Sequence, residues 1–166
     1  MPFQNKNRLA VRAVFLALTI IIGFIERMIP FEFAVPGVRL GLGNAIVLMC
    51  LYLLSVRDVF VLVILKCVLN AFLFGSANTF LFSFAGGMLS FFIMTFMIKI
   101  FKQKISPVGV SVAGAVMHNA GQMIVAALLI GSAQIIYYLP ILLVSGVITG
   151  VITGMAARFS LRVINR

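Results

Sequence analysis

With 166 residues, 63% of them hydrophobic, 13 basic and 3 acidic, the chain is far too apolar for a soluble domain, in which about a quarter of residues are charged. Its mean hydropathy is +1.23. The net charge of +10 would raise nucleic acid as a partner in a soluble protein, but the basic residues lie in short segments between apolar runs, as membrane topology requires.

Taken in order, the charges divide the chain into spans. The first apolar run is 9–29, with Arg12 near its start and Glu26-Arg27 near its end. A loop at 30–38 contains Glu32 and Pro36, and its prolines limit its conformations, so it is a candidate lid. Runs at 40–56 and 59–74 follow, the latter interrupted only by Lys66, and both are short for a crossing. Gly75-Ser76-Ala77-Asn78 reads as a turn before an uncharged run at 79–98. From Ile105 to Ala157 there is no formal charge. That stretch exceeds the roughly 20 residues of one crossing, so a break within 131–140 gives spans at 107–130 and 139–157. These are continuous apolar runs, not alternating strands of about ten residues, so helices rather than a barrel are predicted. The expected fold is an all-α bundle of six transmembrane helices in a single domain over 1–166.

Orientation follows from the basic residues. With both termini cytoplasmic, Lys6, Arg8, Arg12, Arg57, Lys99, Lys102, Lys104, Arg158, Arg162 and Arg166 all fall inside. Arg27 and Arg39 fall outside, and Lys66 falls within the membrane. The N-terminus has the basic-then-apolar look of a secretory signal. No small-residue cleavage pattern follows, which predicts an uncleaved first helix in a multi-pass protein of the cell membrane, the cytoplasmic membrane of a bacterium.

The polar residues within the spans carry the most information. Lys66 lies about nine residues beyond Arg57, near mid-membrane at about 1.5 Å per residue, and Asn70 is one turn further out on the same face. His118 is at similar depth on the fifth span with Gln122 one turn outward, whereas Asn119 points about 100° away. Asn44 lies inside the outer end of the second span, below Arg39. Ionisable groups at such depth are costly and face a bundle interior or a cavity, so Lys66, Asn70, His118, Gln122, Asn44 and Arg39 are candidate ligand-binding residues. The alternative for Lys66 is a lysine reaching an interface or a structural pairing, for His118 with Gln122 a hydrogen-bonded core pair, and for Asn44 and Asn70 hydrogen bonding between helices. Glu26 and Glu32 read as lying near the outer surface, which leaves no evident carboxylate for Lys66.

Catalytic chemistry is poorly supplied. There is one histidine and one aspartate, Asp58, where clamping a prenyl diphosphate through Mg²⁺ needs clustered carboxylates. No phosphate-binding Gly-rich loop with a following Lys is present. Cys50 and Cys67 fall inside spans and read as small packing residues, with no metal, cofactor or disulfide indicated. Gly146, Gly150 and Gly154 form a small-residue ridge on the last span, and Ala13 and Ala17 form a shorter one on the first. Such ridges allow close helix contact, either within the bundle or with a partner.

The segment Val38-Arg39-Leu40-Gly41-Leu42-Gly43-Asn44, the run Ala115-Val116-Met117-His118-Asn119-Ala120-Gly121-Gln122 and the late glycine ridge resemble the Gx transporters, also labelled heptaprenyl diphosphate synthase component I. The resemblance extends over roughly 8–163. That family is in turn similar to the substrate-binding S-components of energy-coupling-factor transporters, six-helix proteins with an outward-opening pocket. There an AxxxA motif on the first helix docks a coupling subunit, which implies that role for Ala13 and Ala17. The function implied is capture of a small anionic or polar molecule for uptake, energised by coupling and ATPase subunits, with no enzymatic activity. The alternative is a membrane accessory protein for prenyl-quinone synthesis or membrane electron transfer, binding an isoprenoid or quinone-type ligand.

Overall fold

The computed structural model describes residues 8–28, 41–74, 77–131 and 137–164. Six α-helices run through them: α1 (Arg8–Met28), α2 (Asn44–Leu53), α3 (Val56–Phe74), α4 (Ala77–Phe101), α5 (Pro107–Ile130) and α6 (Leu139–Ile164). A 3-10 turn, Lys102–Lys104, separates α4 from α5. Four of the helices (α1, α4, α5 and α6) are long and apolar enough to cross a membrane, and the chain is a helical membrane protein. α3 has 19 residues, but Arg57, Asp58 and Lys66 interrupt its apolar surface.

The expected boundaries need adjusting at several points. α2 is only 10 residues long and spans about 15 Å, half a hydrocarbon core, where a run over 40–56 was expected. The reason is local: Gly41 adopts a left-handed φ of 75°, and a turn over 41–43 occupies the first part of that run. α3 begins earlier than expected, because Ser55 caps it by accepting a hydrogen bond from the Asp58 N–H at 3.3 Å. Ala77 and Asn78, read as part of a turn, already belong to α4, and α6 continues past 157 to Ile164. α5 starts and stops where expected. Ser106 caps its Gly109 N–H with Pro107 in the first turn, and Gly131 ends it at φ 65°. Arg39 and the 30–38 loop lie outside the described residues.

Antiparallel packing joins α3 to α4, α4 to α5 and α5 to α6, while α1 runs parallel to α3. α2 sits among them and touches all five of the other helices, and nine of its ten residues are buried. Among the described residues, α1 contacts only α2 and α3, and α6 only α2 and α5. Arg12, Arg57, Lys99, Lys102, Lys104, Arg158 and Arg162 gather at one end of the bundle, the basic end. There Arg12 of α1 pairs with Asp58 of α3 at 2.7 Å.

Close approach is built from glycine. A Cβ at Gly150 would lie 2.6 Å from the Val112 Cα, and one at Gly154 would lie 2.7 Å from the Val108 Cα. The Gly146, Gly150 and Gly154 ridge is therefore the seam of α6 against α5, reinforced by a 2.9 Å hydrogen bond between Ser111 and Thr153. The main apolar core fills the half of the bundle towards the basic end, around Leu48, Val59, Val63, Met94 and Val110, and includes both cysteines as free thiols.

Candidate polar site at the start of the buried half-helix

α2 starts inside the bundle from a half-buried turn, and the N–H groups there need acceptors. The carboxylate of Glu26, in the last turn of α1, satisfies two N–H groups in the turn leading into it. Gly41 N–H donates to Oε1 at 2.5 Å and Leu42 N–H donates to Oε2 at 3.1 Å. The turn then closes into the helix, with Asn44 N–H donating to the Gly41 carbonyl at 2.8 Å and Ala45 N–H to that of Leu42 at 3.0 Å. An anionic acceptor at a helix start is favoured by the dipole and makes charge-assisted hydrogen bonds.

Two other helices, α3 and α5, bring polar side chains to the same turn or beside it. Lys66 of α3 donates from Nζ to Asn44 Oδ1 at 3.1 Å, with both residues buried. Its Nζ lies 3.2 Å from where a Cβ on Gly43 would be. On α5, the His118 ring fits a slot between two glycines. A Cβ on Gly41 would lie 2.8 Å from its Cδ2, and a Cβ on Gly86 of α4 would lie 2.7 Å from its Nδ1. The Gln122 amide nitrogen lies 3.1 Å from His118 Nε2 and acts as the donor. Asn70, one turn beyond Lys66, rests against α1, its Oδ1 2.9 Å from a Cβ built on Gly23. Asn44 Nδ2 is a buried donor with no hydrogen-bond partner among the described residues.

The sequence-derived candidates therefore separate into groups. Asn44, Lys66 and His118 converge on the Gly41–Asn44 turn, with Gln122 on His118 and Asn70 beside Lys66. Arg39 lies outside the described residues. Asn119 faces α6, where its Nδ2 donates to the Leu142 carbonyl at 2.6 Å. Ala13 and Ala17 are exposed on α1 and take no part in the interior. Ala13 also lines a separate apolar groove of about 260 Å³ between α1 and α3 near the Arg12–Asp58 pair, far from the polar turn.

Glu26 was misread as a surface residue. It is buried, and it gives the turn on which Lys66 converges a carboxylate. The available signal was that it is an acidic residue placed before, not after, the end of an apolar run. Gly23 and Gly86 were also missed as the surfaces against which Asn70 and His118 lie. Chemically, the site offers amide and imidazole hydrogen-bonding groups with one basic and one acidic side chain. Among the described residues no cluster of His, Cys, Asp or Glu is arranged to hold a metal.

A family model described as heptaprenyl diphosphate synthase component I matches residues 15–160. No curated protein and no solved structure matches the chain.

Proposed function

Since this chain belongs to the heptaprenyl diphosphate synthase component I family, we propose that it is a membrane-embedded substrate-capture subunit for uptake of a small polar molecule, energised by partner proteins. The observation that carries this reading is the partly buried turn at Gly41–Asn44, where Glu26, Asn44, Lys66 and His118 meet within an otherwise apolar bundle. Groups of this kind are expensive in a membrane interior and mark ligand or ion pathways. A half-helix whose start lies at depth is also a recurring architecture of transporter sites.

Glu26 alters the expected ligand. Lys66 alone favours an anion, but a carboxylate at the same turn offsets it, so the site suits a polar molecule with carbonyl or hydroxyl acceptors for Asn44 Nδ2. In this reading the basic end faces the cytoplasm, and the turn is reached from the outer side. Ala13 and Ala17, exposed on α1, would meet a coupling subunit, and the protein itself performs no chemistry.

The family description favours a second reading, an accessory subunit of heptaprenyl diphosphate synthesis that binds an isoprenoid. Affinity purification of the tagged protein from its native membrane separates the two. Uptake predicts recovery of a membrane coupling subunit with ATPase subunits. Recovery of a soluble prenyl synthase subunit in their place would replace the first reading by the second. Native mass spectrometry of the same preparation identifies the retained ligand.

A further inference from the structure

Glu26 links α1 to the polar turn through its hydrogen bonds to Gly41 and Leu42, and α1 is the least buried of the four long apolar helices. Only 22% of its apolar stretch is buried, against 33–44% for those of α4, α5 and α6. Val14, Ile21, Phe24, Ile25 and Met28 all face outward. Its described contacts run along one side. Arg12 meets Asp58 at the basic end, the Thr19 carbonyl lies near Gly43, Gly23 lies under Asn70, and Glu26 holds Gly41 and Leu42.

We propose that Glu26 is a positioning residue that makes the shape of the binding turn depend on the position of α1. If the far end of α1 shifts, the carboxylate must either carry the Gly41–Leu42 amides with it or give up two charge-assisted hydrogen bonds to half-buried N–H donors. The first course costs less, because Gly41 lacks a Cβ and can change its backbone angles at little steric cost, so the turn follows the helix. Movement of the turn changes what lies against His118 and re-aims Asn44, the acceptor of Lys66. The exposed Ala13 and Ala17 lie on the same helix, so contact at one end of α1 is transmitted to the site at the other. This rests on the substrate-capture reading only in taking the Gly41–Asn44 turn as part of the binding site.

The experiment uses the full chain in lipid nanodiscs, with Cys50→Ala and Cys67→Ala as background, and two readouts. Spin labels at Ile25→Cys and Leu128→Cys, both exposed, report the distance between the far end of α1 and α5. In a separate protein, Leu42→Cys reports turn accessibility through its rate of alkylation by a membrane-impermeant maleimide. Gln in place of Glu26 keeps one acceptor oxygen and sets an NH2 against a backbone N–H. Glu26→Gln is expected to broaden the spin–spin distance distribution and to raise alkylation about tenfold, the loss of one charge-assisted hydrogen bond. Either readout changing alone, or neither changing, overturns the proposal; turn release with α1 still would leave Glu26 a simple helix cap. Should Glu26→Gln not fold, Glu26→Asp, with the charge kept and the reach shortened, must move both readouts together to a smaller degree, and movement of one alone overturns the linkage. Neither readout needs ligand or partner, so a negative result leaves the uptake reading intact. Failure to recover coupling subunits would remove that reading and leave the linkage standing.

Discussion

Gly41 and Gly43 are two residues apart, yet their surroundings predict opposite tolerances. At Gly41 the φ of 75° disfavours any side chain, and a Cβ would lie 2.8 Å from His118 and 2.9 Å from Asn44. Gly41→Ala is therefore expected to cost at least about 2 kcal/mol, from the left-handed conformation and the overpacking together. At Gly43 the nearest atom is the mobile end of Lys66 at 3.2 Å, which can yield. Gly43→Ala should cost under about 1 kcal/mol. Thermal unfolding in detergent compares the two, and equal losses would contradict the packing described for the turn. Lys66 gives a related test. Lys66→Met keeps the stem but deprives buried Asn44 Oδ1 of its donor, for a loss of about 1–3 kcal/mol, whereas Lys66→Gln keeps a donor and should lose less.

At the scale of the helices, the two small-residue ridges have different roles, and substitution separates them. Gly150→Ala forces a methyl to within 2.6 Å of the Val112 backbone, so α5 and α6 must part, at a cost of about 1–3 kcal/mol. Ala13→Leu with Ala17→Leu adds bulk to an exposed face and should leave the unfolding temperature of the isolated protein unchanged while abolishing co-purification of a coupling subunit. Unfolding of the alanine variant on its own would place the pair in the bundle interior instead. The positions of Lys66 and His118 along their helices were legible from sequence because each can be counted from the start of an unbroken helix, at Val56 and Pro107. The start of α2 was not legible. Gly41 and Gly43 permit a turn, but nothing near them in sequence shows that it is met by a histidine on α5 and a carboxylate on α1. The burial of Glu26 was hidden for the same reason, since it depends on backbone 15 residues later folding over it. The glycine ridge of α6 was visible as a four-residue spacing, but only tertiary structure shows that α5 fills it.

For the molecule as a whole, the clustering of basic residues at one end of the bundle makes a topological prediction. Cysteines introduced at Gln103, in the turn between α4 and α5, and at Tyr137, exposed just before α6, lie at opposite ends. An impermeant thiol reagent applied to intact cells should reach Tyr137→Cys, and Gln103→Cys only after permeabilisation. Labelling of both from one side would mean that α5 does not cross the membrane. The bundle also divides by character along its length. Its basic half has a closely packed apolar core, while the opposite half holds the polar turn and the two helix ends that border it.

Because α2 is enclosed by all five of the other helices, it cannot reach its final position until the last of them exists. A ribosome makes α2 second, before most of the helices that enclose it: its neighbours α5 and α6 emerge more than fifty residues later. A helix of about 15 Å cannot wait as a stable crossing in lipid. During synthesis α2 and its amide-bearing turn must shelter beside α1 and α3, with Glu26 the acceptor already at hand. Closure of the protein is thus a late event, and a chain cut short before α5 leaves the half-helix without the walls that make it viable.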